Sequence, residues 1–457
     1  MEEKTSVFRN SEPSFSISFS SASIDLGLRL PYADTIPDDQ ALDERTSRSI
    51  PDKYYAKYAG ETPDGGLKAW SVIVAYVFLI YFGYVNTWGI FQDYYERVLL
   101  SDSSPSAIAW IGSVQITFIF LPALVTGRLF DLGYFKIPYL IASCGLIVCT
   151  FLTAECTQYW QFFLVQGLLT GLFSGIILPQ ALSVVSHWFC KKKGMALGIV
   201  SIGTSLGGTM FPIAGQNLIP VVGFKWTVRV FGFMMLVALG IASLAIDRRL
   251  PPVNVKGGLF NLSAFRNPAY TIYCIAGVAC PLGLYTTLTY LPVSASAVGV
   301  SNNNNFTFYL TAISNAASGV GRLSAGLLAD YIGPLNVMIP LTSLVGVLTF
   351  VWPYASSQGQ LIAISVIYGI ACGTYVSVFV VPPMAMGDVG DVGRRVGMFL
   401  SISSLGALAG TPISGAINAR TGGFQGPGFY AGGVVLFSVL LLLVVRHLQL
   451  GRLYGKC

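Results

Sequence analysis

The chain has 457 residues, of which 53% are hydrophobic and only 11% are charged. Because soluble proteins carry about 25% charged residues, this composition excludes an ordinary soluble domain and indicates a polytopic membrane protein. The net charge of +6 forms no basic stripe outside the apolar segments, so nucleic acid is not an expected partner. The eight cysteines have no metal-binding spacing and the two histidines are far apart, so we expect no metal site and no cofactor.

The first 66 residues are rich in Ser, Asp and Glu and contain no apolar run long enough to span a bilayer. A segment of this kind cannot bury enough apolar surface to fold alone, so we predict a disordered cytosolic tail. The polar N-terminus shows no cleavable signal peptide, and the first apolar helix is expected to direct insertion.

Apolar segments long enough for transmembrane helices, which need about 20 residues each, begin at Trp70. They fall into two groups of six around a polar joint with four basic residues. The sequence therefore predicts an all-α polytopic membrane protein with twelve transmembrane helices in two six-helix bundles. The expected segments are 69–91, 107–128, 137–155, 160–183, 194–215, 228–246, 269–293, 305–328, 336–354, 358–381, 396–418 and 428–446.

The loop charges predict the orientation, because short cytosolic loops carry an excess of Lys and Arg. With a cytosolic N-terminus, the inside loops hold the Lys191–Lys193 run, Arg394 and Arg395, whereas the outside loops hold only four basic residues. Both termini are therefore expected in the cytosol, and the plasma membrane is the expected location. The expected domains are the tail 1–66, the N-terminal bundle 67–246, a cytosolic central loop 247–268, the C-terminal bundle 269–446 and a cytosolic tail 447–457.

Two N-glycosylation sequons occur in the chain. Asn305-Phe-Thr307 falls on an outside loop close to the membrane, so Asn305 is a candidate glycosylation site whose use stays open. Asn261-Leu-Ser263 falls inside and should be silent.

Two matching stretches close the second and the eighth segments: Gly127-Arg-Leu-Phe-Asp131 and Gly326-Leu-Leu-Ala-Asp330. Their shared register indicates an internal duplication of six segments. The glycines allow close helix packing, and the aspartates can accept hydrogen bonds from the N-terminus of a neighbouring helix or pair with an arginine. We therefore predict that Gly127, Asp131, Gly326 and Asp330 form a conformational latch, made in one state and broken in the other.

The repeated stretch resembles the loop signature of the major facilitator superfamily, and the second copy, followed by Gly333, is the better match. Residues 63–70 (PDGGLKAW) and 188–198 (WFCKKKGMALG) resemble the two signatures of the monocarboxylate porter family. The resemblance covers residues 63–446 and is greatest to the fungal branch. It implies the major facilitator fold and a secondary transporter that works by alternating access, not an enzyme.

One arginine, Arg322, lies deep inside the eighth segment, where a charge costs roughly 2.5–3.5 kcal/mol on insertion scales. Asn315 and Ser318 precede it on the same helical face. A guanidinium matches the planar fork of a carboxylate, and the porter resemblance implies that an arginine here binds substrate and couples protons. The alternative is a structural arginine that snorkels to the cytosolic edge.

The chain departs from the porter pattern at two places. The acid that the family has one turn before the arginine is Ser318, and no lysine occurs near Tyr84–Trp88 in the first segment. These departures argue against lactate-type proton symport. Uncharged side chains remain as candidates to line the pocket, although packing is the commoner role for the aromatic ones. The first candidates are Asn86 and Tyr285, and the others are Tyr81, Trp88, Gln166, Gln180, Tyr290, Tyr368 and Tyr375.

A secondary transporter for an organic acid or related small metabolite is the leading hypothesis, with the bilayer and a small, anionic substrate as partners and no obligate protein partner evident. Two directions stay open: efflux of a secondary metabolite, and uptake of a monocarboxylate or a vitamin such as riboflavin. A membrane enzyme would need an intramembrane acid pair, nucleophile or metal cluster, and the sequence shows none of these motifs. A non-transporting sensor has only the polar tail in its favour.

Overall fold

The computed structural model describes residues 64–77, 84, 88–246, 249, 258–297, 304–387, 391–451 and 455. Nearly all of these residues are helical, and we number the membrane helices α1 to α12. The predicted disordered tail lies outside the described residues except for its last three, and so do residues 247, 248 and 250–257 of the predicted central loop.

The N-terminal half comprises α1 to α6. Helix α1 includes Leu67–Val77 and Trp88–Tyr94 and continues as a π-helical turn, Tyr95–Leu99. Helix α2 is Ala107–Asp131, α3 is Lys136–Thr153, and α4 is Tyr159–Trp188 with a π-helical stretch at Phe163–Leu169. Helices α5 and α6 are the two parts of Lys193–Ala245 before and after Gly223.

The C-terminal half begins with a short 3-10 helix, Leu262–Arg266. Helix α7 is Pro268–Ala297, α8 is Asn304–Ile332, and α9 is Pro334–Tyr354. Helix α10 is Gln358–Ala385, α11 is Val392–Thr421, and α12 is Gln425–Leu450. The sequon residue Asn305 lies in the first turn of α8, and its side chain is outside the described part of the structure.

The helices fall on the segments that hydropathy predicted. Among the described residues, nine helices are long and apolar enough to cross a membrane, and one of these, Lys193–Ala245, contains two predicted segments. Helix α8 is not one of the nine, although it has 29 residues, because Asn, Ser and Arg side chains lower its hydropathy. The prediction of an all-α, multi-pass membrane protein is confirmed.

The connection between α5 and α6 differs from the prediction. The sequence analysis left residues 216–227 outside both segments, whereas the structure keeps them helical except at Gly223. Gly223 has φ 77° and ψ 167°, a conformation that only glycine adopts readily, so one residue turns the chain. Glu155, before α4, accepts hydrogen bonds from Lys225 at 3.5 Å and Arg229 at 2.6 Å, which fixes the start of α6.

Helix α4 packs directly on the backbone of α2 through three glycines spaced four residues apart. A Cβ at Gly171 or Gly175 would overlap atoms of α2, and a Cβ at Gly167 would lie 3.2 Å from the carbonyl oxygen of Ile111. Such close approach of helix backbones is the usual effect of this spacing in membranes.

Candidate functional site

Arg322 lies inside the protein and does not reach the lipid. Its side chain is only 7% exposed, and the neighbours that interact with it electrostatically are Tyr285 of α7 and Cys372 of α10. Arg322 is four residues beyond the middle of α8, a displacement of about 6 Å at 1.5 Å per residue. The guanidinium therefore sits well within the depth of the bilayer.

The guanidinium has no counter-charge in the part of the chain that the structure describes. Its Nε is buried without a hydrogen-bond partner, and no carboxylate among the described residues forms an ion pair with it. Tyr285 and Cys372 supply a hydroxyl and a free thiol, both uncharged. An unpaired buried charge is costly, so this group of three side chains favours an anion or water as the missing partner.

Two neighbouring helices hold the backbone of Arg322. The Ser377 hydroxyl of α10 donates a hydrogen bond to its carbonyl oxygen at 3.2 Å. Gly198 of α5 lies against the same carbonyl, and a Cβ at that glycine would approach it to 2.8 Å. Because α5 belongs to the N-terminal half and α10 to the C-terminal half, Arg322 lies where the halves meet.

Ser318 is engaged in packing between the halves. Its hydroxyl is 2.7 Å from the Ser205 hydroxyl of α5 and 2.7 Å from the carbonyl oxygen of Asn315. The sequence placed Ser318 beside Arg322 as a pocket residue but gave no sign of Ser205, which is 113 residues away. Asn315 is partly buried, and Asn86 lies outside the described residues.

Most of the other pocket candidates contact protein groups, either on another element or one turn away along the chain. Gln166 accepts a hydrogen bond from the Tyr95 hydroxyl at 2.5 Å, Tyr368 donates to the Leu284 carbonyl at 2.6 Å, and Trp88 donates to Gln92 at 2.9 Å. Tyr375 stacks on Phe379 with ring centroids 5.8 Å apart, and Tyr290 lies 6.4 Å from the Phe424 ring. Gln180 is fully buried, with no hydrogen bond from its amide to a described residue, and Tyr81 is not described.

The first predicted latch joins α2 to α11. Asp131 accepts hydrogen bonds from the backbone N–H groups of Gly393 at 3.0 Å and Arg394 at 2.8 Å. These N–H groups belong to the first turn of α11, where no intrahelical acceptor exists and the helix dipole attracts a carboxylate. Gly127 faces Gly393 so closely that a Cβ on either glycine would overlap the other backbone.

The second predicted latch joins α8 to α5 in the same way. Asp330 accepts hydrogen bonds from the N–H groups of Gly194 at 2.7 Å and Met195 at 2.8 Å. Gly326 packs against Gly194 and Gly198. The structure thus contains the hydrogen bonds that the sequence suggested for both aspartates, in two symmetric copies.

The end of the molecule that carries Asp131 and Asp330, here called the latch side, is closed. Above the first latch, the Ser401 side chain of α11 donates to the carbonyl of Leu121 at 2.7 Å and accepts from the N–H of Leu124 at 3.0 Å. Above the second, Ser205 meets Ser318. The two halves are therefore in contact from the latch side up to the level of Arg322.

Comparison with known families and relatives agrees with this geometry. Residues 71–378 match the model of the Major Facilitator Superfamily. The aspyridones efflux protein of Emericella nidulans is 38% identical over 386 residues, which are 83% of this chain and 78% of that protein. The agnestins efflux protein of Paecilomyces divaricatus is 33% identical over 366 residues, or 80% of this chain and 83% of that protein.

Solved structures share the fold. The human organic anion transporter MFSD10 superposes with a TM-score of 0.64 over 83% of this chain and 100% of that chain, at 15% identity. The transporter FucP, in its outward conformation, superposes with a TM-score of 0.60 over 81% of this chain and 99% of that chain, at 14% identity.

Proposed function

Since the chain belongs to the major facilitator superfamily and is a secondary transporter, we propose that it exports a weakly acidic secondary metabolite. Two relatives, 38% and 33% identical to it over the aligned residues, carry the names of efflux proteins for aspyridones and agnestins. The substrate binds as an anion beside Arg322 and crosses the membrane by alternating access. Tyr285 lies next to the anion and donates its hydroxyl, while Asn315 lines the path; Asn86 is a further candidate by sequence.

The single observation that carries the proposal is the unpaired guanidinium of Arg322. Its electrostatic neighbours among the described residues are the uncharged Tyr285 and Cys372, and this part of the chain supplies no competing carboxylate. A snorkelling arginine would direct its guanidinium to the lipid headgroups, whereas this one is buried against α7 and α10. An anionic group that fits the planar fork would replace the missing charge.

The two aspartate contacts act as the latch in this cycle. The structure has the latch side closed, and opening it must break the bonds of Asp131 and Asp330 to the opposite half. We place the latch side in the cytosol, because the Lys191–Lys193 run, Arg394 and Arg395 lie there. Both termini are then cytosolic, the bundles 67–246 and 269–446 rock against each other around loop 247–268, and the membrane is the plasma membrane.

Within the superfamily, we place the chain in the monocarboxylate porter family. The support is the pair of stretches PDGGLKAW and WFCKKKGMALG. Small monocarboxylates are nevertheless poor candidates, because the acid that would carry the proton beside Arg322 is replaced by Ser318, whose hydroxyl already meets Ser205. A larger acid, with an apolar body beside Tyr285, suits the site better.

Vesicles of both orientations, from yeast that expresses the chain, distinguish export from uptake. A panel of organic acids and fungal metabolites that includes aspyridones and agnestins is offered to each preparation. We expect at least one weakly acidic metabolite to accumulate in inside-out vesicles, and we expect this accumulation to require expression of the chain. Accumulation of a monocarboxylate or riboflavin in right-side-out vesicles alone would contradict export and favour uptake.

A further inference from the structure

The residues just before α1 and those just before α5, to which the proposed transport cycle gives no role, contact each other in the structure. Asp64, just before α1, accepts backbone hydrogen bonds from three consecutive residues that precede α5. The distances are 2.8 Å to the N–H of Cys190, 2.8 Å to that of Lys191 and 3.3 Å to that of Lys192. One carboxylate thus binds the whole turn that leads into α5.

Side chains strengthen this contact. The ring of Trp70 in α1 meets the ring of Phe189 edge to face, with centroids 5.0 Å apart. The Lys68 ammonium lies 5.7 Å from the centre of the Trp188 ring. Such pairs add to area burial and fix relative orientation, so the start of α1 and the start of α5 form one unit within the N-terminal half.

The same short stretch receives the latch from the other half. Asp330 of α8 binds the N–H groups of Gly194 and Met195, directly after the three that Asp64 binds. Five of the six N–H groups from residue 190 to residue 195 are therefore bound by two carboxylates. One carboxylate belongs to the same half as α5, and the other belongs to the opposite half.

The C-terminal half repeats the arrangement before α7. The side chain of Asn261 donates to Asp391, at the start of α11, at 2.5 Å, and Arg394 donates to the carbonyl of Gly258 at 3.3 Å. Asp391 also accepts from the Arg394 side chain. Asp131 of the other half binds the N–H groups of Gly393 and Arg394 on this same turn.

We propose that the segment before the first helix of each half is a brace for the latch. It holds the N-terminus of the fifth helix of that half in the shape that receives the aspartate of the other half. Asp64 is the positioning residue of one brace, and Asn261 is that of the other. Because the bonds of each brace lie within one half, the brace stays intact when the latch opens. The inference rests on the proposed latch but not on the substrate or its direction.

The backbone at Asp64 makes a clean test available. Asp64 has φ 42°, a region that Asp and Asn tolerate better than other side chains. Asp64→Asn therefore keeps the backbone preference and the shape, while it removes the negative charge and one acceptor oxygen. Asp102→Asn is the matched control, because Asp102 is an exposed aspartate in the loop before α2, away from both latches.

Hydrogen exchange of the purified full-length protein, resolved to single amides by mass spectrometry, reads the brace directly. We expect Asp64→Asn to speed exchange about two- to fivefold at Cys190, Lys191 and Lys192, the scale of a carboxylate's attraction to a helix N-terminus. The decisive sites are Gly194 and Met195, which Asp64 does not touch. Their exchange should also become severalfold faster, because these N–H groups are no longer positioned to bind Asp330. Asp102→Asn should change exchange at neither set of residues. Faster exchange at residues 190–192 alone would overturn the brace.

Asp330→Asn separates a failed brace from a failed latch. It should speed exchange at Gly194 and Met195 and leave residues 190–192 protected. If it leaves Gly194 and Met195 unchanged, the latch in the proposed function is wrong, and the brace falls with it. Should Asp64→Asn fail to fold, Asn261→Ala tests the other half, with faster exchange expected at Gly393 and Arg394. Unchanged exchange there would overturn the proposal.

Discussion

At the scale of single residues, Arg322 departs furthest from what stability alone would select. A charge at the centre of a membrane helix costs roughly 2.5–3.5 kcal/mol on insertion scales. The usual remedies are an acidic partner or access to headgroups, and Arg322 has neither among the described residues. A buried charge retained at this cost indicates a site where a bound ligand supplies the missing electrostatic interaction.

This argument predicts that removal of the charge stabilises the empty protein. Arg322→Met keeps a flexible side chain of similar reach without the guanidinium. We expect it to raise the unfolding temperature in detergent by about 2–4 °C, the shift that corresponds to roughly 1 kcal/mol in a domain of this size. Differential scanning fluorimetry without substrate measures it.

A structural role for Arg322 predicts the opposite change in the unfolding temperature. If hydrogen bonds of Arg322 held the fold together, Arg322→Met would leave their partners unsatisfied and lower the unfolding temperature. Arg420→Met is the control, because Arg420 is exposed at the end of α11 and should have little effect.

At the scale of elements, the turn between α5 and α6 depends on one glycine. Gly223 has φ 77° with open space around it, so a side chain there meets no neighbour and only the backbone is strained. Hydropathy placed the connection within residues 216–227, and the structure narrows it to this one residue. The salt links from Glu155 to Lys225 and Arg229 hold the helix that follows.

Gly223→Ala should lower stability by about 1–3 kcal/mol, the usual cost of a side chain in a backbone region reserved for glycine. Thermal unfolding in detergent measures this loss. Gly240→Ala is the matched control: it also has open space but lies in regular helix, where alanine is favoured by roughly 0.5–1 kcal/mol. Equal effects of the two substitutions would show that the turn is not strained.

Helix α8 shows which features could be predicted from the sequence and which could not. Its apolar pattern, its arginine and its closing Gly-x-x-x-Asp were all readable, and so was the type of bond that Asp330 makes. The pairing of Ser318 with Ser205 was not, because it depends on how two helices from different halves align. Cys372, beside Arg322, gave no signal either, since a lone cysteine in an apolar run is a common packing residue.

At the scale of the whole molecule, the two latches and the serine contacts above them close one end between the halves. Each latch combines a carboxylate on helix N–H groups with a glycine pair that lets two helix backbones meet. Close packing of this kind is bistable, because a small obstruction prevents contact altogether. The latch side is therefore where a single methyl group can change the conformational balance.

Gly127→Ala should favour the state in which the latch side is open. Its Cβ would overlap the carbonyl of Gly393, and overpacking of about 1–3 kcal/mol shifts a two-state equilibrium by roughly 5- to 150-fold. In a Ser401→Cys background, maleimide labelling of residue 401, read by peptide mass spectrometry, should become faster to that degree. Gly359→Ala, at an open helical position, should leave the rate unchanged, and an unchanged rate in Gly127→Ala would contradict closure by this glycine pair.

The central claim is tested most directly by one transport measurement that determines both the direction of transport and the role of Arg322. A weakly acidic metabolite that the chain accumulates in inside-out vesicles is assayed with Arg322→Ala, Arg322→Lys and the exposed control Arg420→Ala. We predict that Arg322→Ala abolishes accumulation, that Arg322→Lys retains part of it because the charge remains without the planar fork, and that Arg420→Ala matches the unaltered protein. Undiminished accumulation by Arg322→Ala would show that the substrate does not bind there.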